Sequence, residues 1–249
     1  MTPSTVIAKY KNMSFPEVGV ATVRDFCDSW DNMRPLSEIA GDLKDVQRPW
    51  MVKAIVASVP IGGRLCEIGA GEPFVADFLN KCGYEVTVVD PYDGSGQGPI
   101  QFENYAASYP NIRFLRSNFG STVTGLSDQY FDAIYSISVL EHIPTEQVMM
   151  VCDGIKRYCK STGYSIHAID HVLLGAGDAF HLDKLKLYAD NLGISHRLME
   201  QVLDASERDA ETYFLSAEGH NLWRGAMNYE SFPMRKVISV NIFRKRASG

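Results

Sequence analysis

The chain has 249 residues, of which 45% are apolar and 22% charged, enough for one globular domain with a core, or one domain with a cap. Its formal net charge of −6 argues against nucleic acid or an acidic membrane as a partner. No apolar run approaches the length of a membrane span, and no basic and then apolar signal segment opens the chain. The five cysteines show no CxxC spacing, so we expect reduced thiols in a cytoplasmic protein of enzyme size.

The N-terminal part of the chain, residues 1–59, reads as a helical segment. Two helical stretches lie at 20–30 and 50–59, bounded by Arg-Pro dipeptides, and residues 15–19 read as a loop. No strong strand pattern occurs here. We therefore predict a helical cap over the core or its ligand, followed by a main domain at 60–249.

Beyond the cap, short apolar strands alternate with helical stretches. The strand patterns lie at 65–68, 85–90, 112–115, 131–140 and 164–169. Strands joined by helical crossovers imply a mostly parallel sheet with helices on both faces. After residue 171 this alternation stops, which indicates an insertion at about 172–235. Two further strands, a weak one at 211–215 and a clear one at 236–243, complete a predicted seven-stranded α/β fold.

The most informative stretch is the first of these strands with the turn after it, residues 64–73. A Gly-Ala-Gly turn at 69–71 leads into a helical stretch at 74–82, with Pro73 expected at the first helical position. Such a turn lets the backbone approach a ligand closely and points free helix N–H groups at it. Phe74 stands where a GxGxxG motif would place its third glycine, which argues against a dinucleotide.

Two acidic residues narrow the choice of ligand. Glu67 lies two residues before the first glycine of the turn, and Asp90 ends the next strand. A carboxylate at the end of that strand can accept both hydroxyls of a ribose, because its two oxygens are spaced for a diol. The pair therefore favours a ligand that contains a ribose.

The stretch from Glu67 to Gly71 resembles the first motif of class I S-adenosylmethionine (SAM)-dependent methyltransferases. Asp90 matches the acidic residue that ends the second strand in that family, and 131–134 and 139–143 are similar to its fourth strand and the segment after it, in the small-molecule branch. These pieces have the family's order and spacing over about residues 60–170. The resemblance implies a Rossmann-like fold, SAM as cofactor and methyl transfer to a small molecule.

The resemblance also implies which residues contact the cofactor. They are Glu67, Gly69, Ala70, Gly71, Asp90, Pro91, Asn118, Ser138 and Val139. Glu67 would face the methionine amino group, Asp90 the ribose diol and Pro91 the adenine. Asn118 stands where the family usually carries an aspartate for the adenine amino group. The alternatives are a turn cap for Asp90 and an ordinary loop position for Asn118.

Two histidines are candidate catalytic bases. Methyl transfer from a sulfonium needs an aligned acceptor and exclusion of water, and a hydroxyl acceptor benefits from a general base. His142, beyond the fourth strand, and His171, beyond the fifth, stand at the edge where open α/β sheets bind ligands. The alternative for each is a structural hydrogen bond at a strand end. Glu141 and Asp170 supply two acids without a third, so no metal is expected.

We therefore predict a SAM-dependent methyltransferase acting on a small molecule, with oxygen slightly preferred over nitrogen as the methylated atom. The Asn/Asp-Pro-Pro-aromatic signature of methylation at nucleic-acid amines is absent after the fourth strand. A second Gly-Ala-Gly at 175–177 is expected as a flexible loop beside the acceptor pocket, whereas the aromatic stretch at 223–232 fits a pocket lining or, in preference, the core. The alternatives are an NAD-dependent oxidoreductase and a methyltransferase-like binding protein without a productive acceptor pocket.

Overall fold

The computed structural model describes residues 2–37, 42–95, 98–173, 178–216 and 237–246, and of residues 178–181 only the backbone. Its strands are β1 (Val18–Val20), β2 (Arg64–Ile68), β3 (Glu85–Asp90), β4 (Arg113–Arg116), β5 (Phe131–Ile137), β6 (Cys159–Val172) and β7 (Val237–Lys245). Its α-helices are α1 (Pro3–Tyr10), α2 (Val23–Met33), α3 (Lys44–Ser58), α4 (Phe74–Lys81), α5 (Phe102–Ser108), α6 (Val148–Tyr158), α7 (Asp178–Leu192) and α8 (His196–Arg208).

The strands form one sheet in the order β1-β7-β6-β5-β2-β3-β4. Strands β2 to β6 pair in parallel, whereas β7 is antiparallel to both of its neighbours. The carboxyl ends of the parallel strands therefore meet at one edge of the sheet, where open α/β sheets bind their ligands. The predicted α/β fold with a mostly parallel seven-stranded sheet is confirmed.

Helices cover both faces of this sheet, as predicted. Successive residues of a strand point to opposite faces. Leu65 and Tyr135 face a core shared with α1, α3 and α4, whereas Cys66 and Ile134 face a core shared with α6, α7 and α8. The α1–α3 layer comes from the N-terminal segment, so this segment lies directly on the face that carries Glu67.

One strand of the seven, β1, lies in the N-terminal segment, for which the sequence predicted only helices and a loop. Residues 15–19 were predicted as a loop, but Val18–Val20 pairs with β7 as an edge strand. The strand predicted at 211–215 makes only isolated bridges, at Thr212 and Phe214. Three residues are too few to show a period-two pattern, and their pairing with β7 makes them a strand. The cap boundary at 59/60 stays a prediction, although the N-terminal segment contributes β1 to the sheet.

Helix α3 continues through Pro49, although the sequence predicted a helix only from residue 50. A proline inside a helix leaves the carbonyl four residues earlier, here that of Asp45, without its N–H donor. The Ser37 hydroxyl donates to this carbonyl at 2.5 Å and replaces the missing donor. The helix therefore extends one and a half turns further toward the ligand edge of the sheet than predicted.

The N-terminal helices are joined by a half-buried ion pair. Lys53 of α3, which is almost fully buried, places its Nζ 2.6 Å from the Asp28 carboxylate of α2, and Tyr10 and Lys9 of α1 also donate to it. Burial alone would raise the pKa of Asp28, but hydrogen bonds from Lys53, Lys9 and Tyr10 lower it to about 2. The carboxylate therefore stays charged at neutral pH and links three helices.

Two predicted features, the glycine loop at 175–177 and the aromatic stretch at 223–232, lie outside the described residues. Of the insertion predicted at 172–235, helices α7 and α8 are described, and both pack on the face that carries α6. In the described ranges, no helix is both long enough and apolar enough to cross a bilayer.

Candidate cofactor and acceptor site

The glycine turn between β2 and α4 lies against the segment that follows β5. Gly69 has a φ of +65° and Gly71 a φ of +58°, in the left-handed region that favours glycine. A Cβ atom on Gly69 would lie 2.8 Å from both γ-carbons of Val139, closer than van der Waals contact. Gly69 is therefore required both by its backbone and by the space around it. Two stretches predicted to contact the cofactor, after β2 and after β5, touch each other here.

We expect Gly69→Ala to destabilise the protein more than Gly71→Ala. A left-handed backbone costs a residue with a Cβ about 1–2 kcal/mol, and this cost applies to both variants. At Gly71 the new atom would be 3.7 Å from Pro99, an ordinary contact, so overlap occurs only at Gly69. Urea unfolding should give losses of about 3 kcal/mol for Gly69→Ala and about 1 kcal/mol for Gly71→Ala. Equal losses, or no rescue of Gly69→Ala by Val139→Ala, would contradict this packing argument.

The sequence predicted Pro73 as the first helical residue of α4, but in the structure Pro73 is the N-cap of this helix. Its ψ of 51° is non-helical, so the helix begins at Phe74. The Phe74 N–H donates to the Glu72 carbonyl at 2.9 Å, which closes the turn locally. The turn therefore uses one more residue than predicted.

Glu67 is buried at the end of β2, on the face covered by α3 and α4. The Tyr135 hydroxyl donates to its Oε2 at 3.0 Å. Burial raises the pKa of Glu67 to about 8, although the Tyr135 hydrogen bond and the charge of Arg48 oppose the rise. The carboxyl group is thus mostly protonated at neutral pH. A cationic group of a ligand placed beside it would favour the charged form.

Asp90 ends β3 and faces the glycine turn. Its Oδ2 accepts the Gly71 N–H at 3.1 Å and its Oδ1 accepts the Tyr92 N–H at 2.8 Å. Burial raises the pKa of Asp90, and these two backbone hydrogen bonds oppose the rise. Each carboxylate oxygen has two lone pairs, so both oxygens retain the capacity to accept a hydroxyl of a diol.

Pro91 and Asn118, predicted on the adenine side, follow neighbouring strands. The Ser117 N–H donates to the Asp90 carbonyl at 3.2 Å, which brings the end of β4 beside the end of β3. Asn118 is exposed, and Pro91 is half-buried. Beside them the ring of Tyr92 packs against an aromatic cluster. The protein therefore offers a flat ligand group both exposed polar atoms and buried aromatic rings beside the ends of β3 and β4.

A cleft lies between the glycine turn and the first turns of α3. Its lining residues, four with ionisable and four with apolar side chains, are Lys44, Arg48, Glu67, Ala70, Glu72, Phe74, Val75 and Ile137. Lys44 and Arg48 are four residues apart and so share a helix face. Neither residue was predicted from the sequence, because the predicted helix begins after them. Two cations and two carboxyl groups around one cleft are complementary to a zwitterionic ligand.

Gln47, Ser138 and Asp170 form a hydrogen-bonded group at the ends of β5 and β6. Ser138 Oγ lies 2.7 Å from Gln47 Oε1 and 3.0 Å from Asp170 Oδ1, and Gln47 Nε2 donates to Asp170 Oδ1 at 2.8 Å. Ser138 has a φ of +50°, and such strained residues cluster at functional sites. The sequence predicted Ser138 here but neither Gln47 nor the position of Asp170. Across the described part of the chain, no three His, Cys, Asp or Glu side chains converge as metal ligands do.

The two predicted bases lie in different surroundings. His142 is exposed on a 3₁₀ helix after β5, whereas His171 is buried in β6. His171 faces the α7 side of the sheet, opposite to its neighbour Asp170. His167 shares the face of His171, and its two ring nitrogens lie 2.8 and 2.7 Å from serine hydroxyls. Burial lowers the pKa of His167 to about 3, so this histidine is a neutral core residue.

Comparison with known proteins places the part of this site from Glu67 to Val139 in a recognised domain. A family model described as a methyltransferase domain matches residues 66–167, from β2 to most of β6. Two curated relatives, uncharacterized proteins of Mycobacterium tuberculosis strains CDC 1551 and H37Rv, are 30% identical over 116 residues, or 44% of this chain. The chain covers only 37% of the length of these relatives.

Solved structures that are similar to this chain include methyltransferases. A putative sarcosine dimethylglycine methyltransferase from Galdieria sulphuraria has a TM-score of 0.52 and 16% identity, over 81% of this chain and 85% of that one. A 1,6-didemethyltoxoflavin-N1-methyltransferase from Burkholderia thailandensis has a TM-score of 0.48 and 13% identity, over 89% and 86%. The first of these likenesses shows a shared fold. Together with the family model, it confirms the resemblance to class I methyltransferases that the sequence predicted.

Proposed function

We infer that this chain, whose residues 66–167 form a methyltransferase domain with the class I fold, transfers a methyl group from SAM to a small molecule. One observation carries the inference: the glycine turn, the buried Asp90 and the charged cleft converge at the carboxyl edge of the sheet. The cleft residues fit SAM because its methionine end is a zwitterion and its nucleoside end carries a diol. SAM, when bound, supplies an activated methyl group on a sulfonium.

We propose an orientation of SAM in the cleft that follows from the charged residues lining it. Lys44 and Arg48 would bind the methionine carboxylate, and Glu67 would bind the ammonium group. Asp90 would accept the ribose hydroxyls, which directs the adenine toward Asn118 and Pro91. The backbone of the glycine turn, including Ala70, and the residues Ser138 and Val139 would flank the middle of the molecule. This orientation places the methyl group near the ends of β5 and β6.

We propose Asp170 as the group that takes the proton of the acceptor, ahead of His142 and His171. Gln47 and Ser138 hold one of its carboxylate oxygens, and Ser138 adjoins Val139 at the glycine turn. A carboxylate in this position would take the hydroxyl proton as the acceptor oxygen replaces sulfur on the methyl carbon, with S-adenosylhomocysteine as the leaving group. For this reason we place oxygen ahead of nitrogen as the methylated atom of the acceptor.

We expect SAM binding to release a proton from Glu67. Burial holds the pKa of this carboxyl group at about 8, and the ammonium group of SAM favours its charged form. Affinity should therefore rise with pH up to about 8, and Glu67→Gln should bind more weakly and without this pH dependence. Calorimetry at pH 7 in two buffers of different ionisation enthalpy measures the released proton. Binding of wild type without proton release would contradict the assignment.

The same pKa affects the stability of the protein. Because the pKa of Glu67 in the folded state lies above its usual value of 4.5, the folded protein binds more protons than the unfolded chain between about pH 4.5 and 8. This contribution to stability is complete below pH 4.5 and is lost as the pH rises through 8. Glu67→Gln should abolish that loss, so its unfolding free energy changes less over the same interval.

A labelled methyl group tests the proposed function directly. The protein is incubated with methyl-labelled SAM and, separately, with small-molecule, protein and nucleic-acid fractions of a cell extract. We expect a labelled product, separated from SAM, in the small-molecule fraction, and much less of it when the Asp90→Ala variant replaces the wild type. Label in protein or nucleic acid alone would overturn the small-molecule assignment. Binding of SAM without transfer to any fraction would favour the non-catalytic alternative.

A further inference from the structure

The segment 138–143, which follows β5, accepts hydrogen bonds from elsewhere in the chain. It contacts the glycine turn through Val139, whose γ-carbons pack over Gly69. It then forms a short 3₁₀ helix, Leu140–His142. Carbonyls at the end of such a short helix have few partners within it. The position of the segment therefore depends on what its carbonyl groups meet.

Two side chains of α7 donate to these carbonyls. Lys184 Nζ donates to the carbonyls of Glu141 and Ile143, at 2.8 and 2.9 Å. The Tyr188 hydroxyl donates to the carbonyl of Leu140 at 3.1 Å. The two donor residues are four apart and so lie on the same face of α7. One helix face thus binds three carbonyls of a single short segment.

The burial of the Lys184 ammonium group indicates that this side chain acts as a hydrogen-bond donor and does not only fill space. Its side chain is buried, and burial lowers its pKa, although the charges of Glu141 and Glu146 oppose this. Burying an ammonium group costs free energy, and an apolar side chain of similar volume at such a position is often neutral or stabilising. A lysine here is explained by the two carbonyls that it fixes. Tyr188, fully buried, adds a third such bond from an otherwise apolar position.

We propose that Lys184 and Tyr188 are positioning residues that hold segment 138–143 against the glycine turn and thereby set the affinity for SAM. The proposal rests on the proposed function, because it takes this turn as the SAM site. Helix α7 lies beyond residues 66–167, the part that matches the methyltransferase domain. An element outside that domain match therefore controls the geometry of the cofactor site.

The test compares Lys184→Met with Lys186→Met, a matched control on the same helix. In the wild type, the Lys186 ammonium group pairs with Glu200 at 2.8 Å on the surface. The probe is S-adenosylhomocysteine, and its Kd is measured by calorimetry beside the Tm of each protein. We expect Lys184→Met to weaken binding roughly tenfold, the equivalent of about one hydrogen bond from a charged donor. Lys186→Met should remain within about twofold of wild type. A folded Lys184→Met protein with the wild-type Kd would overturn the proposal, even if its Tm were lower.

Tyr188→Phe provides a second test, because it removes only a hydroxyl group and keeps the packing. We expect roughly threefold weaker binding of S-adenosylhomocysteine and faster amide hydrogen exchange within segment 138–143. Unchanged exchange in both variants would also overturn the positioning role. If the wild type bound no S-adenosylhomocysteine, the proposed function would fail, whereas hydrogen exchange would still decide whether α7 positions the segment.

Discussion

Asp90→Ala is expected to weaken the binding of S-adenosylhomocysteine about 100-fold. The carboxylate lies at the end of β3 with one oxygen toward the glycine turn and the other toward the Tyr92 N–H. In the proposed complex it accepts two ribose hydroxyls, and hydrogen bonds to a charged group contribute about 1.5–3 kcal/mol each. A loss of about 3 kcal/mol corresponds to a factor of about 100 in Kd. Calorimetric titration of the variant measures this factor.

Asp93→Ala is the matched control for this variant. Asp93 is exposed three residues further on and accepts the Ser95 N–H at 2.9 Å, away from the glycine turn. Its removal should leave the Kd unchanged. An analogue of S-adenosylhomocysteine that lacks the 2′-hydroxyl separates direct from indirect effects. It should bind less tightly than the parent compound to wild type but equally to Asp90→Ala. An equal penalty for the analogue in both proteins would show that Asp90 acts only by bracing the turn.

Asp170→Asn is expected to lower the rate of methyl transfer by about 100-fold or more, because general bases contribute about 10²–10⁴ to such rates. Asparagine keeps an oxygen that accepts from Gln47 and Ser138, so the hydrogen-bonded group retains its geometry. It cannot take up a proton at neutral pH. The Kd of S-adenosylhomocysteine should therefore stay within about twofold of wild type, since the change affects only the acceptor side.

His142→Ala and His171→Ala complete this comparison. The rates are measured with the acceptor fraction that the labelled-methyl assay identifies. A large loss in either histidine variant, with near-normal transfer by Asp170→Asn, would favour the base predicted from the sequence and refute Asp170. We expect the reverse, because His142 is exposed and His171 faces the other side of the sheet.

The central part of the fold was predictable because its signals are local. The strand before residue 69, the glycine turn and the acid that ends the next strand are encoded within about 25 residues. Asp90 makes its hydrogen bonds within this stretch: it accepts the N–H of Tyr92, two residues on, and that of Gly71 in the adjacent turn. Short apolar runs separated by helical stretches then specify parallel pairing, so the sheet follows from the sequence pattern.

The acceptor side depends on contacts between distant residues, which one sequence does not reveal. Gln47 and Asp170 are 123 positions apart and meet only because α3 lies across the ends of β5 and β6. That helix was predicted too short, since a proline normally ends a helix and Ser37 supplies the missing hydrogen bond from another element. The three-residue strand β1 is likewise defined by its partner β7. Tertiary contacts override local preference in both cases.

The most direct test of the central claim is calorimetric titration of the wild-type protein with S-adenosylhomocysteine and, in parallel, with NAD. The charged cleft, the glycine turn without a third glycine and the diol-facing carboxylate predict saturable binding of one S-adenosylhomocysteine per chain and no binding of NAD. Saturable binding of NAD with no binding of S-adenosylhomocysteine would contradict the assignment of this site to SAM.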